Sequence, residues 1–157
     1  MHGQEAFVQR ICDALADQTV DAILTLGPAV SANAIRIPGN IDARPYGDHD
    51  QLLPRCDAVV THGELGTTLR TLAHGTPLLL LPLGRDQQFN ARRVVELGAG
   101  ICLPVAASPL EIAAALLELL VQPRFREAAT DAAAKIAADR PDETATEALL
   151  GLAPRAN

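Results

Sequence analysis

The sequence predicts an α/β fold, a Rossmann-like parallel sheet with flanking helices. Short apolar runs bounded by turn residues alternate with segments of helical apolar spacing, which is the pattern of parallel strands joined by crossover helices. Two of these runs end in glycine-containing turns that lead directly into a helix. Aromatic residues make up only 3% of the chain and Trp is absent, so the core must be built from Ala, Leu, Val and Ile, which suits close packing of helices on a sheet. At 157 residues the chain can bury one core and is short for two. A single domain is expected over residues 1–157, with a core over 1–121 and C-terminal helices over 122–157.

The elements follow in order. Residues 4–16 place Phe7, Ile11 and Leu15 on one helical face, with Val8 and Cys12 alongside, and read as an amphipathic helix. That face implies a sheet, yet no strand precedes it, so the sheet is expected to lack its first strand. Residues 20–26 form an apolar run closed by Gly27 and Pro28, a strand and its breaker. Residues 41–44 suggest another short strand, and 49–55 a brief helix. Val59 and Val60 then enter a turn at His62 and Gly63, which predicts a buried strand over 57–61.

From residue 64 to 73 the spacing of Leu65, Leu69 and Leu72 is helical, and Gly75 provides the stop. Four consecutive leucines, Leu78 to Leu81, lie between Pro77 and Pro82 and are too short for a helix. They predict a strand buried on both faces. Residues 86–97 form a helix expected to turn Phe89, Val94 and Leu97 inward, and 100–103 a last strand. Ser108, Pro109 and Glu111 supply an N-cap, a first-turn proline and the third-position glutamate of a capping box. Ala-rich helices finish the chain.

Composition removes several function classes. The net charge is −6, and the 13 basic residues are scattered without a tract or an aromatic platform, which argues against nucleic-acid binding. No apolar run approaches the roughly 20 residues of a membrane-spanning helix. The first residues carry no hydrophobic signal core, and a cytoplasmic location is expected. Cys12, Cys56 and Cys102 are far apart beside apolar neighbours and read as buried reduced thiols. His2, His49, His62 and His74 form no i, i+4 pair and no cluster with cysteine, so no metal site is expected.

Three segments can carry chemistry. In DAVVTHGELGTT, residues 57–68, a buried strand leads through His62 and a glycine turn into a helix. Such a turn points N–H groups outward, and with the helix dipole and the hydroxyls of Thr67 and Thr68 it makes an anion site without a lysine. The spacing matches neither the dinucleotide fingerprint nor the Walker pattern. The plain alternative is that Gly63 and Gly66 only permit a tight turn.

After the leucine strand, Asp86 and Gln87 open a helix that also carries Asn90. A carboxylate and an amide at a strand's C-terminal edge suit hydroxyl recognition; alternatively Asp86 is a helix N-cap and Gln87 is solvated. In RPYGDHDQLL, residues 44–53, Tyr46 and His49 are placed to line a base, or Tyr46 is simply a core or loop anchor.

In this order the three segments resemble the C-terminal, nucleotide-sugar-binding domain of GT-B glycosyltransferases, in the UDP-glycosyltransferase superfamily and its bacterial antibiotic and macrolide branch. The resemblance runs from Gln4 to about Leu120 and is densest over residues 52–104. It implies that His62, Gly63, Gly66 and Thr67 bind the diphosphate of a UDP- or dTDP-sugar, that Asp86 and Gln87 hold the sugar hydroxyls, and that Tyr46, Gly47 and His49 frame the base. It implies no cofactor and no metal, the nucleotide sugar being the donor substrate.

Two departures stand out. Glu64 occupies the position of the family's second glycine, where a carboxylate beside a diphosphate is unfavourable. Family members also carry an N-terminal domain and a first strand ahead of the opening helix; that domain holds the acceptor and the histidine base, so no catalytic base is named in this chain. The implied function is donor binding for transfer of a hexose to a small acceptor held by an N-terminal domain or a separate partner. The alternative is a non-catalytic nucleotide-sugar-binding remnant; an epimerase of the same fold has little support. An unpaired sheet edge would also favour self-association.

Overall fold

A computed structural model describes residues 2–27 and 30–138. It opens with α1 (His2–Leu15), followed by β1 (Ala22–Thr25), β2 (Ile41–Arg44), α2 (His49–Leu52) and β3 (Val59–Thr61). The chain continues through α3 (Leu65–Ala73), β4 (Leu78–Leu80), α4 (Arg85–Glu96), β5 (Gly100–Cys102), α5 (Pro109–Val121) and α6 (Pro123–Ala138). Single 3-10 turns cover Ala32–Ala34 and Leu53–Arg55. The part of the expected C-terminal helices beyond residue 138 lies outside the described residues.

All pairings are parallel, as expected, but the strands form two pieces: β1 with β2, and β3, β4, β5 in that order. β4 is the centre. Leu78, Leu79, Leu80 and Leu81 are each at 0% exposure, because alternate side chains enter different layers. Leu79 and Leu81 join Phe7, Cys12 and Leu15 of α1 and Ile112, Leu116 and Leu119 of α5. Leu78 and Leu80 join Leu72 of α3, Ala91 and Val94 of α4, and Ala129 and Ala132 of α6. Burying each leucine contributes about 1.5–3 kcal/mol, so a four-leucine run is stable only where both faces are covered. Gly100 lets β5 approach β4, since a Cβ there would run into the Leu78 carbonyl.

Local signals terminate the elements where the sequence indicates. The Ser108 hydroxyl accepts from the Glu111 N–H at 3.3 Å, and the Glu111 carboxylate accepts from the Ser108 N–H at 2.7 Å, which completes the expected capping box. Gly75 takes a left-handed φ of 67° after α3. Arg126 of α6 donates to the carbonyls of Asp57 at 2.7 Å, Cys56 at 3.3 Å and Gly75 at 3.2 Å. One guanidinium thereby holds both the start of β3 and the end of α3, the two elements that flank the glycine turn.

Several inward assignments are corrected. In α4 only Val94 of the expected trio is buried; Phe89 is 65% exposed and Leu97 is exposed. At about 100° per residue Phe89 lies roughly 140° around the helix from Val94, and Ala91 fills the core face instead. The helical spacing of Leu65, Leu69 and Leu72 does give a helix, but the residues it buries are Thr68, Thr71 and Leu72, while Leu65 and Leu69 are exposed. At about 100° per residue Leu69 lies about 60° outside the arc those three define. Cys12 is buried as expected, with its thiol pKa pushed up by burial and then by Asp13, but Cys56 is only partly buried and Cys102 is exposed.

Candidate donor site

The first part of the site is the turn between β3 and α3. Gly63 has φ +89°, a left-handed conformation that favours glycine, and its N–H donates to the Thr61 hydroxyl at 3.3 Å. The first intrahelical bond of α3 runs from the Thr68 N–H to the Glu64 carbonyl at 2.9 Å. The N–H groups of Leu65, Gly66 and Thr67 therefore precede any helical acceptor, and the Glu64 side chain does not cap them. A Cβ on Gly66 would meet nothing within 4 Å, so no neighbouring group crowds that position of the first turn. Behind them Thr68 is buried, and its hydroxyl has no hydrogen-bond partner.

His62 and Glu64 flank this turn. The imidazole Nε2 lies 3.9 Å from the Glu64 carboxylate, both side chains being substantially exposed. That distance is beyond a hydrogen bond. The pair attracts only when the imidazole is protonated.

The second part follows β4. Gln87, in the first turn of α4, accepts through Oε1 from the N–H groups of Leu83 at 2.7 Å and Gly84 at 3.0 Å. Its carbonyl oxygen is committed to shaping the loop, which leaves the Nε2 amide as the group able to donate outward. Gln87 is thus not the solvated residue of the plain alternative. Nor is Asp86 the N-cap, since Gly84 holds that position and Asp86 sits one residue inside the helix, exposed.

These two parts meet. A Cβ on Gly63 would stand 3.2 Å from the Gln87 carbonyl and 3.3 Å from the Leu80 side chain, so the glycine allows the turn to lie directly on the start of α4. Asn90, one turn beyond Asp86 and Gln87, donates through Nδ2 to the Gly63 carbonyl at 2.9 Å. The sequence alone gives Asn90 no role; its i, i+3 spacing from Gln87 is the signal that places it on the same face.

The third part is less tightly joined. Gly47 is closely packed, because a Cβ there would come within 2.6 Å of the Thr25 side chain and 2.7 Å of the Leu52 side chain, one of which would have to shift. Asp48 caps α2 by accepting from the Asp50 N–H at 3.1 Å, which places His49 at the first helical position, and α2 packs beside α3. Tyr46 is 81% exposed, so it is not a core anchor. Among the described residues no hydrogen bond joins Tyr46 or His49 to the other two parts. No group of three or more His, Cys, Asp or Glu able to hold a metal occurs among the described residues either.

The family model for the C-terminal domain of erythromycin biosynthesis protein CIII-like proteins matches residues 9–150. The chain belongs to this family. Among curated relatives of this CIII-like domain, the aclacinomycin-T 2-deoxy-L-fucose transferase of Streptomyces galilaeus is 32% identical over 130 residues, covering 81% of this chain and 29% of the relative. Among solved structures, the calicheamicin glycosyltransferase CalG4 superposes with a TM-score of 0.83 at 28% identity, over 96% of this chain and 41% of that one. The glycosyltransferase VinC, solved in complex with DTDP, gives 0.75 at 28% identity over 83% and 33%. The chain therefore spans about a third of the length of the proteins it matches. The CIII-like domain has the fold of the C-terminal half of GT-B glycosyltransferases, as the sequence led us to expect. No helix among the described residues is long and apolar enough to cross a membrane.

Proposed function

We propose that this domain binds a UDP- or dTDP-sugar and supplies the donor side of hexosyl transfer to a small acceptor held by a separate domain or polypeptide. The observation that carries the reading is the junction of two loops: unsatisfied N–H groups at Leu65, Gly66 and Thr67 open beside Gly63, and Asn90 ties Gly63 to the helix that presents Asp86 and Gln87. A diphosphate fits the first set of groups and sugar hydroxyls the second. Charge on the departing diphosphate is met by His62, the backbone donors and the α3 dipole, an arrangement that calls for no metal ion. Tyr46, Gly47 and His49 are assigned to the edge of the base. VinC, which was solved with DTDP bound, shares the fold, and that supports a pyrimidine nucleotide as ligand.

A second reading, a nucleotide-sugar-binding module without transfer, is favoured by Glu64, whose carboxylate stands where the diphosphate charge would lie. Calorimetric titration of the purified chain with UDP, dTDP and their glucose conjugates tests donor binding. Saturable binding that falls at least about tenfold, roughly 1.4 kcal/mol, in His62→Ala is the expected result. A folded chain that binds none of the four ligands sinks both readings.

A further inference from the structure

The turn between β3 and α3 carries a charge that its own helix does not use. Glu64 holds the N-cap position of α3, yet its side chain accepts from none of the first-turn N–H groups and is 68% exposed. A glutamate in that state keeps its rotamer freedom, so a neighbouring charge decides where the carboxylate lies. That neighbour is His62, whose Nε2 stands 3.9 Å away.

The surrounding elements bring further titratable groups. α4 starts against Gly63 and carries Asp86 in its first turn, while α2, packed beside α3, carries His49 and Asp50. Further along α3 is Arg70, and at the far end of that helix Arg126 of α6 is held by the carbonyls of Cys56, Asp57 and Gly75. Among the described residues none of these groups forms an ion pair with His62 or Glu64. The two side chains together therefore set the charge beside the N–H groups of Leu65, Gly66 and Thr67. With the imidazole protonated the pair is neutral; with the imidazole neutral it carries one negative charge.

We infer that His62 and Glu64 form a proton-operated gate on the diphosphate site, closing as the pH rises. The inference rests on the donor-site reading. A protonated imidazole draws the carboxylate to itself and offsets its charge, whereas a neutral one leaves it free to stand before the N–H donors and repel a diphosphate. Histidine changes its charge between about pH 5 and 8, where a carboxylate stays ionised, so the penalty from Glu64 belongs to the upper part of that range. The imidazolium also attracts the diphosphate directly, with or without Glu64. The affinity of Glu64→Gln relative to the unaltered chain cancels that attraction and isolates the pair.

Calorimetric titration of the full chain at about pH 8 and about pH 6 tests the gate. The probe is dTDP-glucose, which lacks the terminal phosphate whose second proton leaves at about pH 6. Glu64→Gln should bind about fivefold more tightly than the unaltered chain at the higher pH and within about twofold of it at the lower. In a His62→Gln background that ratio should be the same at both pH values. Where His62→Gln binds too weakly to measure, His62→Arg serves, its permanent charge holding the ratio near one throughout. A ratio that does not respond to pH, or that responds equally in the His62→Gln or His62→Arg background, overturns the inference and leaves the donor site standing. A folded chain that binds no dTDP-glucose at either pH overturns the donor reading and the inference with it.

Discussion

The side-chain amide of Asn90 donates to the Gly63 carbonyl across 2.9 Å, so a single hydrogen bond fixes the β3–α3 turn against α4. In the proposed donor complex this bond sets the spacing between diphosphate and sugar contacts. Asn90→Ala removes the donor and leaves a half-buried carbonyl, a loss of about 1 kcal/mol. We expect urea unfolding to show that loss. Affinity for a nucleotide sugar should fall several-fold further than affinity for the free nucleotide, and equal losses for the two ligands would remove Asn90 from the site.

Gln87 separates loop shaping from ligand contact. Gln87→Glu keeps an oxygen for the N–H groups of Leu83 and Gly84 but removes the outward amide donor, so the fold should be as stable as before. The added charge weakens all nucleotides alike, whereas the ratio of dTDP-glucose to dTDP affinity should drop by about tenfold, the value of one hydrogen bond. An unchanged ratio in calorimetry would mean that Gln87 shapes the loop and does nothing for the sugar.

Glu64 is the residue most at odds with anion binding. A carboxylate about 5 Å from a phosphate charge at an effective dielectric near 20 is repelled by about 3 kcal/mol, and its exposure reduces this to about 1 kcal/mol. Glu64→Gly should therefore tighten dTDP binding roughly fivefold, with the gain shrinking at high salt. Weaker binding in Glu64→Gly would show that the carboxylate supports the site.

Particular residues show how much could be read in advance. The leucine run, the Ser108 capping box and the glycine turn at Gly63 announced themselves because each depends on local chemistry: burial on two faces, a reciprocal cap and a positive φ. The diphosphate and sugar segments were legible as motifs, and their adjacency was not. That adjacency rests on Asn90, which bonds Gly63 from 27 residues away, and on the space left by Gly63. Phe89 and Leu97 are exposed for a related reason, since apolar identity does not say which arc of a helix its neighbours will cover. The division of the strands into two pieces likewise depends on pairing between distant segments.

The most direct test of the central claim is nitrogen-15 NMR of the chain titrated with dTDP, following the amides of Gly63, Gly66 and Thr67. Saturable shifts concentrated at these residues and their neighbours at the start of α3, and lost in His62→Ala, are the predicted result. A folded chain in which those amides stay still while dTDP binds elsewhere, or does not bind, would contradict the account.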